Sequence, residues 1–436
     1  MTNVELRARC RRTVGSILLA GALTVTGGAF STAAAAAGQT VRGRLLPIPA
    51  AAPGQEFNVT AIDVTPLGVV GGTAQAITTG PDGTRTAIDT PLRWAELPRV
   101  GWVRQRLTLP AGATSGSVDG LTDHGEPAGS VTLDGATRAV RWSLDGQSTT
   151  QIGGAGSLVD AVGPRGPWGV HTAGPNPIAG EAELVTRAGA RTPLRGTPEL
   201  DAGYRRSVSS IADEGTAIVW VVDGIGRGTS ARPVLWKDGA TKRLPVINYP
   251  FLAPACVSRV LGDGSVVTSG YAYETGTPNF VLIRHVGGVP GTDVELFRAT
   301  GPGQPLAGLG CGNAQPSNGL APDGGVAGYV STDADGRRAA YWNAANVLTV
   351  VPRGPGEVSA TGAVAASGGR MVILAELEDG GSRLSLWRNG NRTELPAPRG
   401  WSVSSVVELT ESGVLVANVR DAAGTTRPAA WNLGRP

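Results

Sequence analysis

The chain repeats one short unit from end to end, and this repeat limits the available folds more than any other feature. The clearest copy spans residues 207–245, where Gly, Asp-Gly and Pro separate four short runs of β-branched, aromatic and other apolar residues. Gly supplies the positive φ of tight turns, Asp-Gly favours hairpins, and β-branched residues favour strands. The unit therefore predicts four antiparallel strands. Because so short a unit cannot bury two apolar faces alone, its copies must stack on one another.

The turn between the first and second strands recurs at a regular interval. Its eight copies are residues 63–68, 122–125, 163–166, 213–215, 262–264, 322–324, 366–368 and 410–413. From Gly68 to Gly413 the interval averages about 49 residues. Sustained 3.6-residue periodicity is missing after the first 30 residues, so we expect almost no helix. We predict an all-β fold, a β-propeller of four-stranded antiparallel blades, with eight blades favoured over seven.

The last copy of the unit ends without a fourth strand. The chain stops shortly after Trp431, whereas residues 40–47 near the other end read like a fourth strand and its closing proline. A propeller whose N-terminal strand completes the last blade removes two open sheet edges. We therefore predict that residues 40–47 close the ring.

Tryptophan ends the third strand in six copies of the unit. These residues are Trp94, Trp142, Trp236, Trp342, Trp387 and Trp431. They could form an aromatic ligand ring or could pack between blades. Packing is the favoured interpretation, because a position repeated in most blades serves the repeat and a buried indole removes much apolar area from water.

The first 37 residues predict a cleaved signal peptide. Four arginines form its basic region, residues 14–25 its apolar core, and residues 33–37 a small-residue cleavage zone. The alternative is a membrane anchor, but the apolar run is short and interrupted by Gly21. Residues 38–436 are then one propeller domain, secreted to the exterior or the cell envelope, with no membrane insertion after cleavage. The general secretory route is favoured over twin-arginine export, which stays open.

The formal charge of +3 belongs to this leader. Without residues 1–37 the chain holds 34 basic and 34 acidic residues. A neutral chain argues against nucleic acid or an anionic membrane as a partner, and we expect a monomer. Only Lys237 and Lys242 among the basic residues are lysines, which is typical of high-GC bacterial genomes.

Two cysteines, Cys256 and Cys311, remain in the mature chain. Each precedes the expected first strand of a repeat, which for Cys256 is residues 257–261. An even pair in a secreted protein suggests a disulfide. We predict that the two are bonded; the alternative is two separate thiols.

The repeat resembles the extracellular HAF repeats, whose pattern runs I-N-D-x-G-x-V-V-G, then A-F-L-W-x-x-G-x-x-T-x-L. The matching residues are 61–63, 68–71, 324–328, 234–236 and 393–395. The resemblance covers most of residues 40–433. It implies a secreted bacterial propeller, in a group mostly without assigned activity. This chain lacks the Asn-Asp pair in most copies and the tryptophan in two.

No catalytic, metal or cofactor site is predicted. The three histidines, His124, His171 and His285, fall in different repeats, whereas metal ligands must converge on one ion. No G-x-S-x-G elbow with α/β context supports a Ser-His-Asp triad. Carboxylate pairs could cleave sugars. The candidates are Asp63, Asp119, Asp160, Asp213 and Asp323, but their spread over many repeats is more typical of turn caps.

Loops on a rigid scaffold often carry function, so the longer inserts are the best candidates for a ligand surface. Their aromatic residues are Tyr249, Phe251, Tyr271, Tyr273 and Trp102. We expect a non-enzymatic extracellular binding or scaffold protein whose partner, a protein or a glycan, is unknown. The alternative is a secreted propeller enzyme, a glycosidase or lyase acting on polysaccharide. Two acids with Arg or Tyr at one channel mouth would favour the enzyme. A third reading, a purely structural envelope protein, predicts no such site.

Overall fold

The computed structural model describes residues 41–174, 180–201, 205–223, 230–244, 246, 256–272, 279–286, 293–299, 306–310, 317–332 and 336–434. Thr40–Pro436 form one compact unit. Apart from one four-residue helix, α1 (Pro198–Asp201), the regular elements in these ranges are β-strands. No helix in them has the length and apolar character needed to cross a membrane. The all-β class is confirmed.

The strands pair in sequence order as antiparallel meanders. The described strands are β1 (Arg44–Leu45); meander 1, β2 (Glu56–Val64), β3 (Val70–Thr79), β4 (Arg85–Leu97) and β5 (Gly101–Arg106); meander 2, β6 (Ala113–Leu121), β7 (Pro127–Leu133), β8 (Ala136–Trp142) and β9 (Thr149–Gln151); meander 3, β10 (Ser157–Val162), β11 (Trp168–Ala173), β12 (Gly180–Val185) and β13 (Arg191–Pro193); meander 4, β14 (Arg205–Ile211), β15 (Ala217–Asp223), β16 (Ser230–Lys237) and β17 (Ala240–Arg243).

The second half continues in the same way. Its strands are meander 5, β18 (Cys256–Val257), β19 (Val266–Ala272), β20 (Asn279–His285) and β21 (Val294–Ala299); meander 6, β22 (Leu306–Gly308), β23 (Val326–Thr332), β24 (Gly336–Trp342) and β25 (Leu348–Val350); meander 7, β26 (Glu357–Ala366), β27 (Arg370–Leu377), β28 (Ser382–Arg388) and β29 (Asn391–Glu394); meander 8, β30 (Ser402–Leu409), β31 (Val414–Arg420) and β32 (Thr426–Asn432).

The described strands form seven sheets, six of them four-stranded. Meanders 3 and 4 share the seventh, in which one parallel pair, Gly180 with Arg205, joins β12 to β14. None of the described sheets closes on itself. First strands of meanders 1 to 4 and 8, with residues just after β18, line one common channel. Four-stranded meanders set around a channel are the architecture of a β-propeller.

Six first strands carry a β-bulge at the same place, three residues before the turn that follows. The bulged residues are Ile62, Asp119, Asp160, Ser209, Ala363 and Val407. An extra residue in one strand bends that strand and changes the direction of its side chains. The bulges therefore decide which residues of the first strands face the channel. Two of the six bulged residues are aspartates.

The six repeated tryptophans are buried, with at most 7% of each exposed. Three indole Nε1–H groups donate to the main chain just after a neighbouring fourth strand: Trp142 to Thr108 O at 2.7 Å, Trp431 to Pro396 O at 3.0 Å and Trp94 to Pro47 O at 2.7 Å. The packing interpretation is confirmed. Each of these bonds also fixes one meander against the next.

β1 lies against the last meander. Arg44 pairs with Ala430 and Leu45 with Ala429, which adds β1 to the edge of β32. Leu46, which follows β1, is fully buried in a core cluster with Trp94. A Cβ on Gly43 would lie 2.5 Å from the Trp431 indole, so only glycine lets the chain pass there. The bond from Trp94 to Pro47 gives β1 the same relation to meander 1 that β5 and β29 have to the meanders after them.

Two elements differ from the prediction. The first strand of meander 5 is only Cys256–Val257, so Cys256 lies inside a strand and not before it. Helix α1 was not predicted; a helix of one turn leaves no periodic signal in the sequence.

Candidate functional site

A pocket of about 370 Å³, the inner pocket, fills part of the channel between the first strands. Its charged lining residues are Asp63, Asp119, Asp123, Asp160, Glu408, Arg205 and Arg259. Trp220 and Ser209 add an aromatic ring and a hydroxyl. Five carboxyl groups against two guanidinium groups make this an acidic cavity.

A second pocket of about 250 Å³, the mouth pocket, lies among the turns that follow the first strands. Pro66, Pro164, Asp213, Pro322 and Glu411 are among its lining residues. It shares Asp123, Arg259 and Glu408 with the inner pocket. These shared residues therefore stand at the boundary between the two pockets.

Three charged side chains meet at this boundary, and we call them the Arg259 bridge. Arg259 Nη1 donates to Glu408 Oε2 at 2.7 Å, and Arg259 Nη2 donates to Asp63 Oδ1 at 3.0 Å. Arg259 follows β18, whereas Asp63 lies on β2 and Glu408 on β30. The arginine thus joins meander 5 to both the first and the last meander.

The Asp63 carboxylate is held by neighbouring main chain. The N–H groups of Leu121 and Val64 donate to its Oδ2 at 2.8 Å and its Oδ1 at 2.9 Å. A Cβ on Gly120 would lie 2.8 Å from Val162 and 3.6 Å from Asp63 Oδ2, so glycine there lets the strands and the carboxylate approach each other. These bonds fix the direction in which Asp63 faces the channel.

Asp119 and Asp160 occupy the bulges of adjacent first strands. Burial raises the pKa of Asp119 to about 7, although hydrogen bonds from Ser130 and Ser117 oppose the shift. Burial also raises the pKa of Asp160 to about 7, although the hydrogen bond from the Val208 N–H and the positive charge of Arg205 oppose the shift. Carboxyl groups taken from water without enough positive charge around them resist ionisation. Both would gain from a cation entering the inner pocket.

His171 lies behind Asp160 and supplies no such cation. Its Nδ1 stands 3.9 Å from Asp160 Oδ1 and has no hydrogen-bond partner among the described residues. Burial, with the nearby charge of Arg205, lowers the pKa of His171. The imidazole is therefore neutral at pH 7.

At the Arg259 bridge, the pKa of each group depends on the charges of its neighbours. Burial raises the pKa of Glu408 to about 7, with Arg259 opposing and Asp63 and Asp123 adding to the shift. Burial alone would lower the pKa of Arg259, but Glu408 and Asp63 outweigh it and raise that pKa. Burial, Asp213 and Asp63 raise the pKa of Asp123. In the described part of the chain, these carboxylates form no group of three suited to hold a metal ion.

A second polar arrangement joins meander 5 to Lys242 on β17. Thr268 Oγ1 and His285 Nε2 are hydrogen-bonded at 3.0 Å, His285 Nδ1 lies 3.0 Å from Asp293 Oδ1, and Lys242 Nζ donates to that oxygen at 2.8 Å. The order of groups resembles a nucleophile, base and acid. Thr268 and His285 are both fully buried, and burial lowers the pKa of His285. A substrate has no access to Thr268, so we assign this arrangement to the core.

Most of the predicted ligand surface lies outside the described residues. Tyr249, Phe251, Tyr273 and Cys311 lie outside the described residues, as does the side chain of Tyr271. Trp102 is not in a loop but on β5, half-buried against the core cluster around Leu46. Cys256 is buried, and its disulfide with Cys311 stays a prediction.

The predicted carboxylates divide into two groups. Asp63, Asp119 and Asp160 converge on the channel, and Asp213 lines its mouth. Asp323 is a turn cap, as expected, since it accepts the Gly325 and Gly368 N–H groups. For the first three, the interpretation as turn caps is wrong, because they lie on first strands and line the channel.

Sequence reasoning missed Arg259 and Glu408. Both stand two residues before the turn of their repeat, at the position that Asp63 holds in the first repeat. Charged residues at that position were the available signal. A comparison of this single position across all repeats would have shown it.

No family model matches the chain, and no curated protein matches its sequence. The resemblance to HAF repeats therefore stays a prediction from sequence.

Solved structures with a similar fold include peptidases, a hydrolase and TolB proteins. The propeller domain of the trilobed protease from Pyrococcus furiosus, described as having an open velcro topology, is 9% identical (TM-score 0.44, 87% of this chain and 96% of that chain covered). The acylaminoacyl peptidase of Pyrococcus horikoshii is 10% identical (TM-score 0.42, 84% and 58% covered). Puromycin hydrolase is 14% identical (TM-score 0.43, 83% and 58% covered). This chain thus spans little more than half the length of the latter two.

These findings correct the functional prediction. We expected a non-enzymatic extracellular binding or scaffold protein, or else an enzyme acting on polysaccharide. The solved structures reported above include peptidases and a hydrolase instead, and neither expectation is carried further.

Proposed function

We propose that this protein is a peptidase-associated propeller whose channel receives a positively charged segment of a peptide. One observation carries the proposal: five carboxyl groups and only two guanidinium groups line an inner pocket of about 370 Å³. That volume accepts a side chain or a short stretch of extended chain and excludes a folded protein.

The chemistry of the pocket selects its ligand. Carboxylates repel nucleic acid and acidic glycans, whereas peptides carry ammonium and guanidinium groups. Asp119 and Asp160 are the main contacts in this proposal, because a cation beside them restores the ionisation that burial opposes. A peptidase is the class of enzyme that a peptide-receiving module serves.

We further propose that the eight meanders are eight blades and that β1 closes the ring. The pairing of β1 with β32 and the donation from Trp94 to Pro47 support this. Ser412 Oγ also donates to Pro66 O, which connects the turns of the last and first meanders. Cleavage after the leader, export and a monomeric state stay proposals from sequence.

Calorimetric titration tests the function. The probe is a short peptide blocked at both ends with one arginine, and its control is the same peptide with citrulline, which is isosteric and uncharged. We expect the arginine peptide to bind at least about tenfold more tightly, a difference of 1.4 kcal/mol. Equal affinity for both peptides, or no binding of either, would contradict the proposal.

Matched variants locate the binding site. Asp119→Asn/Asp160→Asn should weaken arginine-peptide binding about tenfold or more, since charged hydrogen bonds contribute most. Asp134→Asn is the control, because Asp134 is exposed in the β7–β8 turn at φ 53°, a conformation that Asn accepts. If the double variant bound as well as wild type, the peptide would lie elsewhere.

A further inference from the structure

The Arg259 bridge forms a single level of the channel. In each of three turns the main-chain N–H of the first residue donates a hydrogen bond to the carbonyl oxygen of the fifth residue. The pairs are Thr65 with Val69, Leu261 with Ser265 and Thr410 with Val414. Asp63, Arg259 and Glu408 each stand two residues before the donor of that bond. Equivalent positions in a repeat lie at equivalent depth, so the three charges meet at one height, where the mouth pocket joins the inner pocket.

Arg259 supplies the positive charge at this level of the channel. At the same position the other meanders carry no basic residue: Asp63, Gly120, Ala161, Ser210, Gly319, Val364 and Glu408. The guanidinium fork donates to two carboxylates that belong to different meanders. A peptide arginine would present the same fork to the same oxygens.

We propose that Arg259 is a built-in occupant of a guanidinium site formed by Asp63 and Glu408, and that the cationic group of an entering peptide displaces it. This inference rests on the proposed function and adds the site at which entry is controlled. The bridge is then an autoinhibitory contact: it keeps the inner pocket separate from the mouth until a ligand cation replaces the arginine.

The energetics allow this exchange. Replacing one guanidinium by another leaves the charge between the two carboxylates unchanged, so no carboxylate stays buried without a partner during occupancy. Arg259 is 38% exposed at its side chain, whereas Asp63 and Glu408 are 15% and 20% exposed. The arginine can therefore swing toward solvent while its acceptors stay in place. Asp123, beside the bridge, adds negative charge that attracts a second cation.

Removal of the internal cation tests the proposal. Arg259→Met keeps the length of the stem and loses the charge; Arg104→Met, at an exposed position on β5, is the matched control. The probe is a blocked peptide with two arginines, because one guanidinium group cannot contact Asp119 and Asp160 and also replace Arg259; it is titrated at pH 8 on the full chain. We expect Arg259→Met to bind it at least tenfold more tightly than wild type, and Arg104→Met to bind it as wild type does. Unchanged or weaker binding by folded Arg259→Met would overturn the proposal.

A second variant covers failure of Arg259→Met to fold. Arg259→Lys keeps the charge but replaces the two-armed fork with one ammonium group. We expect its affinity for the arginine peptide to exceed that of wild type by about threefold, whereas equal affinity would overturn the proposal. If wild type bound the peptide through Asp119 and Asp160 but neither Arg259 variant changed the affinity, the proposed function would stand and the autoinhibitory contact would fall. If no variant bound the peptide, both would fall.

Discussion

The position of an aspartate in this repeat, on a first strand or in the turn after it, decides whether it faces the channel or caps a turn. Asp119 and Asp160 are the extra residues of β6 and β10, and both line the inner pocket. Asp323, in a turn, accepts main-chain N–H groups. The residue type is the same in all three cases. Its position relative to the hydrogen-bonded strands determines whether it lines the pocket or caps a turn.

The raised pKa of Asp119 predicts a pH-dependent stability. Its folded-state pKa of about 7 lies above the ordinary 3.8, so the folded state holds this proton more tightly and loses stability as pH rises from about 4 to 7. Asp119→Asn should therefore be more stable than wild type by about 1–2 kcal/mol at pH 8, with little difference at pH 4. Thermal unfolding at both pH values measures this, with Asp134→Asn as control. A benefit that is equal at both pH values would contradict the assigned pKa shift.

The repeated tryptophans make a second prediction at this scale. Trp142→Phe removes the N–H bond to Thr108 and leaves a cavity in a fully buried site. We expect a loss of about 1–3 kcal/mol in the free energy of unfolding. Trp102→Phe makes the same change at a half-buried position and should cost under about 1 kcal/mol. Equal losses would show that the repeated position has no special packing role.

At the scale of elements, the sequence predicted most of the fold because its signals are local. Turns with Gly and Asp, β-branched runs and terminal prolines lie within a few residues of the strands that they define. The pairing of β1 with β32 was also within reach, since the last repeat lacks a strand and residues 40–47 supply its pattern.

The candidate site was harder to predict because its residues lie far apart. Arg259 is 196 residues from Asp63 and 149 from Glu408. Their convergence depends on the depth of each strand and on the order of meanders around the channel, and no short window contains either. The bulges add one residue to a strand and thereby reverse the face of the side chains near the channel, which a two-residue periodicity does not reveal.

β1 carries a prediction at this scale. Leu46→Ala should lower the free energy of unfolding by about 2–5 kcal/mol, because Leu46 is fully buried beside Trp94. Leu67→Ala, at a residue 76% exposed, is the control and should change it by less than about 0.5 kcal/mol. A chain that begins at residue 48 should melt lower than one that begins at residue 38 and should aggregate through the free edge of β32. Identical melting curves for the two chains would contradict the role given to β1.

At the scale of the whole molecule, the channel brings together what each meander contributes singly. Asp63, Asp119, Asp160 and Glu408 come from four first strands, and Arg259 comes from a fifth meander. Residues 38–436 contain equal numbers of basic and acidic residues, so the excess of carboxyl groups in this cavity is local. This local imbalance of charge is the basis of the proposed function.

The imbalance predicts a pH-dependent affinity. Asp119 and Asp160, each with a pKa of about 7, must ionise to bind a guanidinium group, which itself does not titrate in this range. Affinity for the blocked arginine peptide should therefore rise between pH 6 and pH 8, by about tenfold for each carboxyl group. Titrations at several pH values measure it, and Asp119→Asn/Asp160→Asn should flatten the profile. A wild-type affinity that is independent of pH would exclude these carboxyl groups as the contacts.

A crystal structure of the wild-type chain with the blocked arginine peptide, grown at pH 8, tests the central claim most directly. We predict a guanidinium group in the inner pocket beside Asp119 and Asp160. A peptide bound outside the channel, or an inner pocket without it at saturating concentration, would contradict the account.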